Sequence, residues 1–247
     1  MRSFRRFALL LALAFPAMHA VLAQSSSSTP PTPATGQDQA QPQAQEQTPQ
    51  QQSVQARIRA RREARRAAAI HDAYAHRYEV SADMGYLRAK PGPSLQRLTY
   101  YGWETGLTRN FNERLGVTVA GRGYYGTAYV GLNPSNITRP AISQYDVLGG
   151  PTYRFYMQPK YSISGRVMGG WAHANNSGDT NGFGAKYLGL YPDGNTFAIS
   201  ASALGEYNLT PGIAFRLGPE YFVTGFGSSF QGSVGFTGGI VYRFGKP

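Results

Sequence analysis

The stretch "VGFTGGIVYRFGKP", residues 234–247, decides the fold. Val234, Phe236, Ile240, Tyr242 and Phe244 share one phase of a two-residue repeat, while Ser233, Gly235, Thr237, Gly239 and Arg243 occupy the other. Successive side chains of a strand point to opposite faces, so this strand has one large apolar side and one small or polar side. The fold follows from which side faces inward.

The same split recurs upstream. Near residue 80, Tyr78, Val80, Ala82, Met84 and Tyr86 alternate with Glu79, Ser81, Asp83 and Gly85. Near residue 104, Tyr101, Trp103, Thr105 and Leu107 alternate with Gly102, Glu104, Gly106 and Thr108. Later strands put Arg122, Asp146, Arg154, Arg166, Glu206, Arg216, Glu220 and Arg243 on the polar side. Alternation with Gly, Asn and Pro punctuation predicts eight strands, at 77–88, 98–109, 115–126, 142–156, 161–174, 195–207, 212–225 and 231–245. Connections near Asn110–Glu113, Gln158–Lys160 and Asn208–Pro211 are tight, and they alternate with long ones such as "GTAYVGLNPSNITRPA". That order predicts an all-β fold, an antiparallel up-and-down barrel with short turns at one rim and loops at the other.

An eight-stranded barrel encloses just enough room for its own side chains. Trp103, Trp171 and the many Tyr and Phe residues would overfill it. Small residues with a few mutually neutralising charges fit inside. The apolar face then meets lipid, where ring closure satisfies the backbone and a misplaced Arg costs about 2–4 kcal/mol at the midplane. Aromatic residues at the strand ends make two interfacial girdles: Tyr78, Phe155, Tyr161, Tyr207, Phe215 and Phe244 at the short-turn rim, Tyr86, Tyr101, Tyr125, Tyr145 and Trp171 at the other.

The remainder of the 247-residue chain is appended to this barrel, 77–247. Residues 1–23, with Arg2, Arg5 and Arg6 before "FALLLALAF", read as a secretory signal. Residues 24–53 are Gln, Pro, Ser and Ala with almost no apolar bulk, which predicts a disordered linker. Residues 54–76 contain no Gly or Pro and are rich in Ala and Arg, predicting a basic helix whose Arg57, Arg59, Arg61, Arg62, Arg65 and Arg66 are spread around its axis. Such a helix is a solvated spacer or a docking element for cell-wall polymer or anionic headgroups. With no cysteine, disulfides and thiolate metal sites are excluded. The formal net charge of +11 does not point to nucleic acid in an exported protein.

The stretch 77–247 resembles the small eight-stranded outer-membrane β-barrels, the group that includes the transmembrane domain of outer membrane protein A. "FNERLGVTV", "YDVLGGPTYRF" and "GGIVYRFG" are similar to phrases of porin-like outer-membrane barrels. The resemblance implies a bacterial outer-membrane location with the N-terminal segment in the periplasm, and outer-membrane lipid and the barrel-assembly machinery as partners. It also implies an aromatic assembly signal at Ile240, Tyr242 and Phe244, followed here by Gly245, Lys246 and Pro247 in place of a terminal aromatic. The peptidoglycan-binding domain of outer membrane protein A has no counterpart in this sequence, a role open to the basic segment.

Some barrels of this size are lipid-modifying enzymes. His173, with Ser177 and Asp179 nearby, is the candidate base, although its outward phase beside Trp171 fits a girdle residue, and no catalytic residue is assigned. "DTNG" at 179–182 reads as a turn, lacking the carboxylates of a calcium loop, and no metal or cofactor is expected. The charges Glu79, Asp83, Glu104, Arg122, Arg154, Arg166, Arg216 and Glu220 are expected to form an interior network, either a salt-bridged plug or the gate of a narrow ion path. The loops at 126–141 and 175–194 offer a binding surface through Tyr125, Tyr129, Tyr187 and Tyr191.

Overall fold

The computed structural model describes residues 49–245. The predicted signal, and the predicted linker up to residue 48, lie outside the described residues. The first described element is a helix, α1, Pro49–Tyr74. It starts within the segment read as linker and ends two residues before the expected boundary. Neither Gly nor Pro stops it: its last turn closes with the Ala75 amide donating to the His71 carbonyl at 2.8 Å, and the chain then turns into the first strand.

Eight strands follow: β1 Tyr78–Ala89, β2 Leu98–Asn110, β3 Leu115–Thr127, β4 Ala141–Met157, β5 Tyr161–Gly178, β6 Gly194–Thr210, β7 Ile213–Thr224 and β8 Gln231–Phe244. Each pairs antiparallel with its sequence neighbour, and β8 pairs with β1, which closes the barrel. Closure leaves no strand edge unpaired. The closing ladder sets Tyr78 opposite Phe244, Val80 opposite Tyr242 and Ala82 opposite Ile240, so residues 234–244 form the seam. The turns β2–β3, β4–β5 and β6–β7 are short and share a rim with α1, and all four long connections lie at the other rim.

Along β8, residues 233, 235, 237, 241 and 243 are buried, whereas 234, 236, 240, 242 and 244 are exposed. The same alternation runs through β6 from Phe197 to Tyr207. Glycine serves this packing at named places. A Cβ on Gly123 would lie 2.7 Å from the Trp103 indole nitrogen, and one on Gly165 would lie 2.7 Å from the Phe155 ring, so each glycine makes room for an aromatic lying across it.

The long loops are ordered against the mouth. In the β5–β6 loop a 3-10 turn, Ala185–Leu188, buries Ala185 and Leu188, and Leu190 and Tyr191 follow them inward. Its Tyr191 amide donates to the Pro91 carbonyl of the β1–β2 loop at 2.9 Å. Asn176 Nδ2 in turn donates to the Tyr191 carbonyl at 3.0 Å. Tyr191 is therefore packed under the loops and is not available to a surface ligand, a correction to the expected binding set. Tyr125, Tyr129 and Tyr187 remain exposed.

Candidate functional site: the charged interior and its Tyr74 cap

Inward-facing side chains form three layers. Next to the short-turn rim, Glu79 and Glu206 hold three arginines. Arg216 lies 2.7 Å from Glu206 and 3.8 Å from Glu79, Arg243 lies 2.6 Å from Glu206 and 3.3 Å from Glu79, and Arg154 is hydrogen-bonded to Glu79. Neutral side chains complete the shell: Asn110 Nδ2 donates to Glu79 at 3.0 Å, Ser162 Oγ donates to Glu206 at 3.3 Å, and Asn208 Oδ1 accepts from Arg243 at 2.7 Å.

The middle layer is built by register. Asp83 sits opposite Glu104, Glu104 opposite Arg122, and Arg122 opposite Asp146, so one row crosses four consecutive strands. Arg122 lies 3.0 Å from Glu104 and bonds Glu220, and Arg166 lies 2.7 Å from the other Glu104 oxygen. Asp146 accepts from Gln144 at 2.9 Å. Neither Asp83 oxygen has a hydrogen-bond partner among the described residues.

Towards the loops the interior turns apolar, with Leu87, Tyr124, Leu148, Met168 and Phe222 continuous with Leu188, Leu190 and Tyr191. The expectation of a polar interior therefore holds for two layers and is corrected for the third. The loops bury Leu188, Leu190 and Tyr191 against this mouth, and the hydrophobic effect favours apolar side chains beneath them.

The opposite mouth is capped by a residue that nothing in the sequence singles out. Tyr74, the last residue of α1, is 0% exposed. Its ring lies over the Arg154 and Arg243 guanidinium carbons, 5.3 and 5.1 Å from the centroid, within the range of cation–π attraction. Its hydroxyl donates to the Gln158 carbonyl at 2.9 Å and accepts from Asn208 Nδ2 at 2.8 Å. Arg66 and His71 add contacts to Gln158 and Glu113 on the adjoining turns, at 2.6 and 2.7 Å. The rest of α1, residues 54–69, is exposed on every side.

All eight predicted interior charges, Glu79, Asp83, Glu104, Arg122, Arg154, Arg166, Arg216 and Glu220, are buried in the lumen. Asp146, Glu206 and Arg243 lie with them, giving five arginines and six carboxylates. The two-residue phase had put those three on the inner face, but only cross-strand pairing reveals Glu206 and Arg243 as the centre of the lower layer. Outside, the outward strand positions carry only two charges, Arg88 and Arg109, each within the last two residues of its strand. Between them run residues such as Met84, Leu107, Val119, Val167 and Leu217, all exposed. Such a surface has hydrocarbon as its solvent.

The chain is a small transmembrane β-barrel.

No family model matches this barrel, and no curated protein does. Among solved structures, it is similar to Neisserial surface protein A (NspA), at 17% identity over 68% of this chain and 97% of that one, with a TM-score of 0.48. It is similar to the outer membrane protein OprG from Pseudomonas aeruginosa, at 10% identity over 70% and 99%, with a TM-score of 0.46. It is also similar to Ail, the attachment invasion locus protein of Yersinia pestis, in complex with the heparin analogue sucrose octasulfate, at 16% identity over 67% and 99%, with a TM-score of 0.40. Likeness at this level says nothing about activity, so function is read from the barrel's own residues.

The residues considered for catalysis are not brought together. His173 Nδ1 is 2.6 Å from Asn195 Oδ1, and its ring stacks on Trp171 on the outer face at 5.9 Å. Ser177 bonds Asp193 instead. In "DTNG", Asp179, Asn181 and Gly182 have positive φ, and Thr180 donates to the Ser177 carbonyl at 2.8 Å, which is a turn. Of the assembly-signal candidates, Ile240, Tyr242 and Phe244 all lie outward, and Phe244 stacks between Tyr78 and Tyr242 at 5.7 and 5.9 Å.

Proposed function

We propose that the protein is a non-enzymatic bacterial outer-membrane barrel that anchors the envelope, with a plugged lumen and α1 held in the periplasm as a rigid cationic arm. The burial of Tyr74 beneath Arg154 and Arg243 carries this reading. It ties an exposed, Arg-rich helix to the barrel at a fixed point, so the arm is positioned rather than trailing. Six arginines distributed around α1 without an apolar face suit a carboxylate-bearing cell-wall polymer in water better than adsorption to a bilayer, which requires an amphipathic helix. Ile240, Tyr242 and Phe244 are the residues offered to the barrel-assembly machinery.

The test is co-sedimentation with purified cell wall. The intact protein is expected to pellet at low salt and to be released as ionic strength rises. Replacing Arg57, Arg59, Arg61, Arg62, Arg65 and Arg66 by Gln is expected to abolish pelleting. Undiminished pelleting of that variant would refute the anchoring role.

A narrow ion path is the second reading, favoured by one observation. Both Asp83 oxygens, Ser81 Oγ and Thr237 Oγ1 are buried without hydrogen-bond partners among the described residues, and buried polar groups of this kind ordinarily bind water. Planar-bilayer recordings on refolded protein separate the two: a plugged lumen stays silent, and a conductance altered by Arg122→Ala identifies a channel.

A further inference from the structure

At the short-turn rim a groove of about 710 Å³ opens between the end of α1 and the β2–β3 turn. One wall is cationic. Arg77 and Arg114 line it, and neither guanidinium has an ion pair or hydrogen bond among the described residues. Arg109 lies beside it, 5.7 Å over the Phe111 ring. The arginine positions are set by the ladder: Arg77 accepts from the Asn110 amide at 2.8 Å and donates its own amide to the Gly245 carbonyl at 3.0 Å. His76 also lines the groove, its Nδ1 without a partner. The one carboxylate present, Glu113, is engaged by His71 at 2.7 Å.

The other wall is apolar and leads onto the lipid face. Leu115 and Tyr153, paired in register and exposed, start a stripe that continues through Val117 opposite Pro151 and Val119 opposite Gly149 to Gly121. A Cβ added at Gly121 or Gly169 would meet nothing within 4 Å, and one at Gly149 nothing nearer than 3.8 Å. With Gly149 opposite Gly169, these glycines leave a shallow trough on the outer surface. From Leu115 to Gly121 the stripe runs about 20 Å along the strand, which at a tilt of about 40° is a rise of about 15 Å, the depth of one leaflet of a hydrocarbon core about 30 Å thick.

We infer that this groove binds one anionic phospholipid from the leaflet on the α1 side, its phosphate between Arg77 and Arg114 and an acyl chain along the Leu115–Gly121 trough. Guanidinium groups pair with phosphate oxygens, and the unpaired cations stand where headgroups meet the strand ends. The inference rests on the barrel being embedded in lipid, and not on cell-wall binding.

The test is native mass spectrometry of the full chain released from detergent micelles after incubation with phosphatidylglycerol or phosphatidylethanolamine. Heat-modifiable migration is checked first, because a protein that does not shift on boiling has failed the membrane reading rather than this one. Phosphatidylglycerol is expected to be retained as a single adduct and phosphatidylethanolamine to be stripped. Arg77→Gln with Arg114→Gln is expected to weaken retention about 30-fold, the attraction of an anionic headgroup for two arginines. Should that pair misfold, Arg114→Gln alone gives the readout, since its guanidinium makes no hydrogen bond or ion pair among the described residues. Gly149→Leu, which fills the trough, is expected to release the lipid while leaving glycerol phosphate binding unchanged. Equal retention of the two lipids, or wild-type retention by the arginine variants, would overturn the site. Displacement by glycerol phosphate as effective as by lipid would show a free-phosphate site and overturn the lipid assignment.

Discussion

The Tyr74 ring lies 5.1 Å from the Arg243 guanidinium carbon, joining the last turn of α1 to the closing strand β8. The ring shields a charge cluster that would otherwise face the aqueous mouth, and its hydroxyl serves both Gln158 and Asn208. Tyr74→Phe removes only those hydrogen bonds and is expected to cost about 1 kcal/mol. Tyr74→Ala also removes the packed ring and is expected to cost about 3 kcal/mol. Urea unfolding in lipid vesicles, followed by tryptophan fluorescence, measures both. Hydrogen exchange should show amides 71–77 losing protection in the alanine variant while the β8–β1 seam stays protected.

The interior charges are not equivalent. Arg122 serves both Glu104 and Glu220, so Arg122→Ala leaves two buried carboxylates short of a partner and is expected to destabilise by about 3–5 kcal/mol. Asp83 has no hydrogen-bonded cation, and Asp83→Asn is expected to be neutral or stabilising by about 1 kcal/mol. The same urea titration decides the contrast. Equal losses in the two variants would mean that the interior acts as undifferentiated charge rather than as specific pairs.

How much of this was legible follows from what each solvent forbids. Hydrocarbon penalises charge on the outer face between the two rims, so Met84, Val167 and Leu217 alternate cleanly with the charged set, and every strand boundary lies within a few residues of its expected place. The pairing partner of a charge is a property of register, which alternation does not encode; Glu206 and Arg243 therefore had a face but no assigned place in the network. Tyr74 is further out of reach, because its partners Gln158 and Asn208 lie 84 and 134 residues away and the helix pattern around it marks no buried side. The apolar upper lumen depends on loops folding inward, and Tyr191 looks like any exposed loop tyrosine until the Pro91 and Asn176 contacts are known.

Phe244 stacks on Tyr78 across the seam that closes the barrel and on Tyr242 along its own strand. If these outward aromatics guide insertion as well as packing, Phe244→Ala is expected to lower the inserted yield in cells several-fold while the refolded barrel loses only about 2 kcal/mol, the worth of two aromatic pairs. The heat-modifiable fraction of a membrane preparation reads the first quantity, and urea unfolding the second. Parallel losses in both would assign Phe244 to stability alone.

Met84 lies outward at mid-strand, opposite Trp103 on β2 and Gly238 on β8, and is 78% exposed. In water that exposure would make Met84→Arg harmless or solubilising. Against hydrocarbon the same change is expected to cost about 2–4 kcal/mol, because the guanidinium must be dragged towards the bilayer centre or the bilayer thinned to meet it. At the rim, Arg88 occupies the same face two outward positions further along β1, where an arginine reaches the headgroups. Moving the charge inward from Arg88 therefore provides a depth scale: Tyr86→Arg should cost less than Met84→Arg. Urea unfolding in vesicles gives the two values, and a flat profile with depth would mean that the outer face is wetted by water.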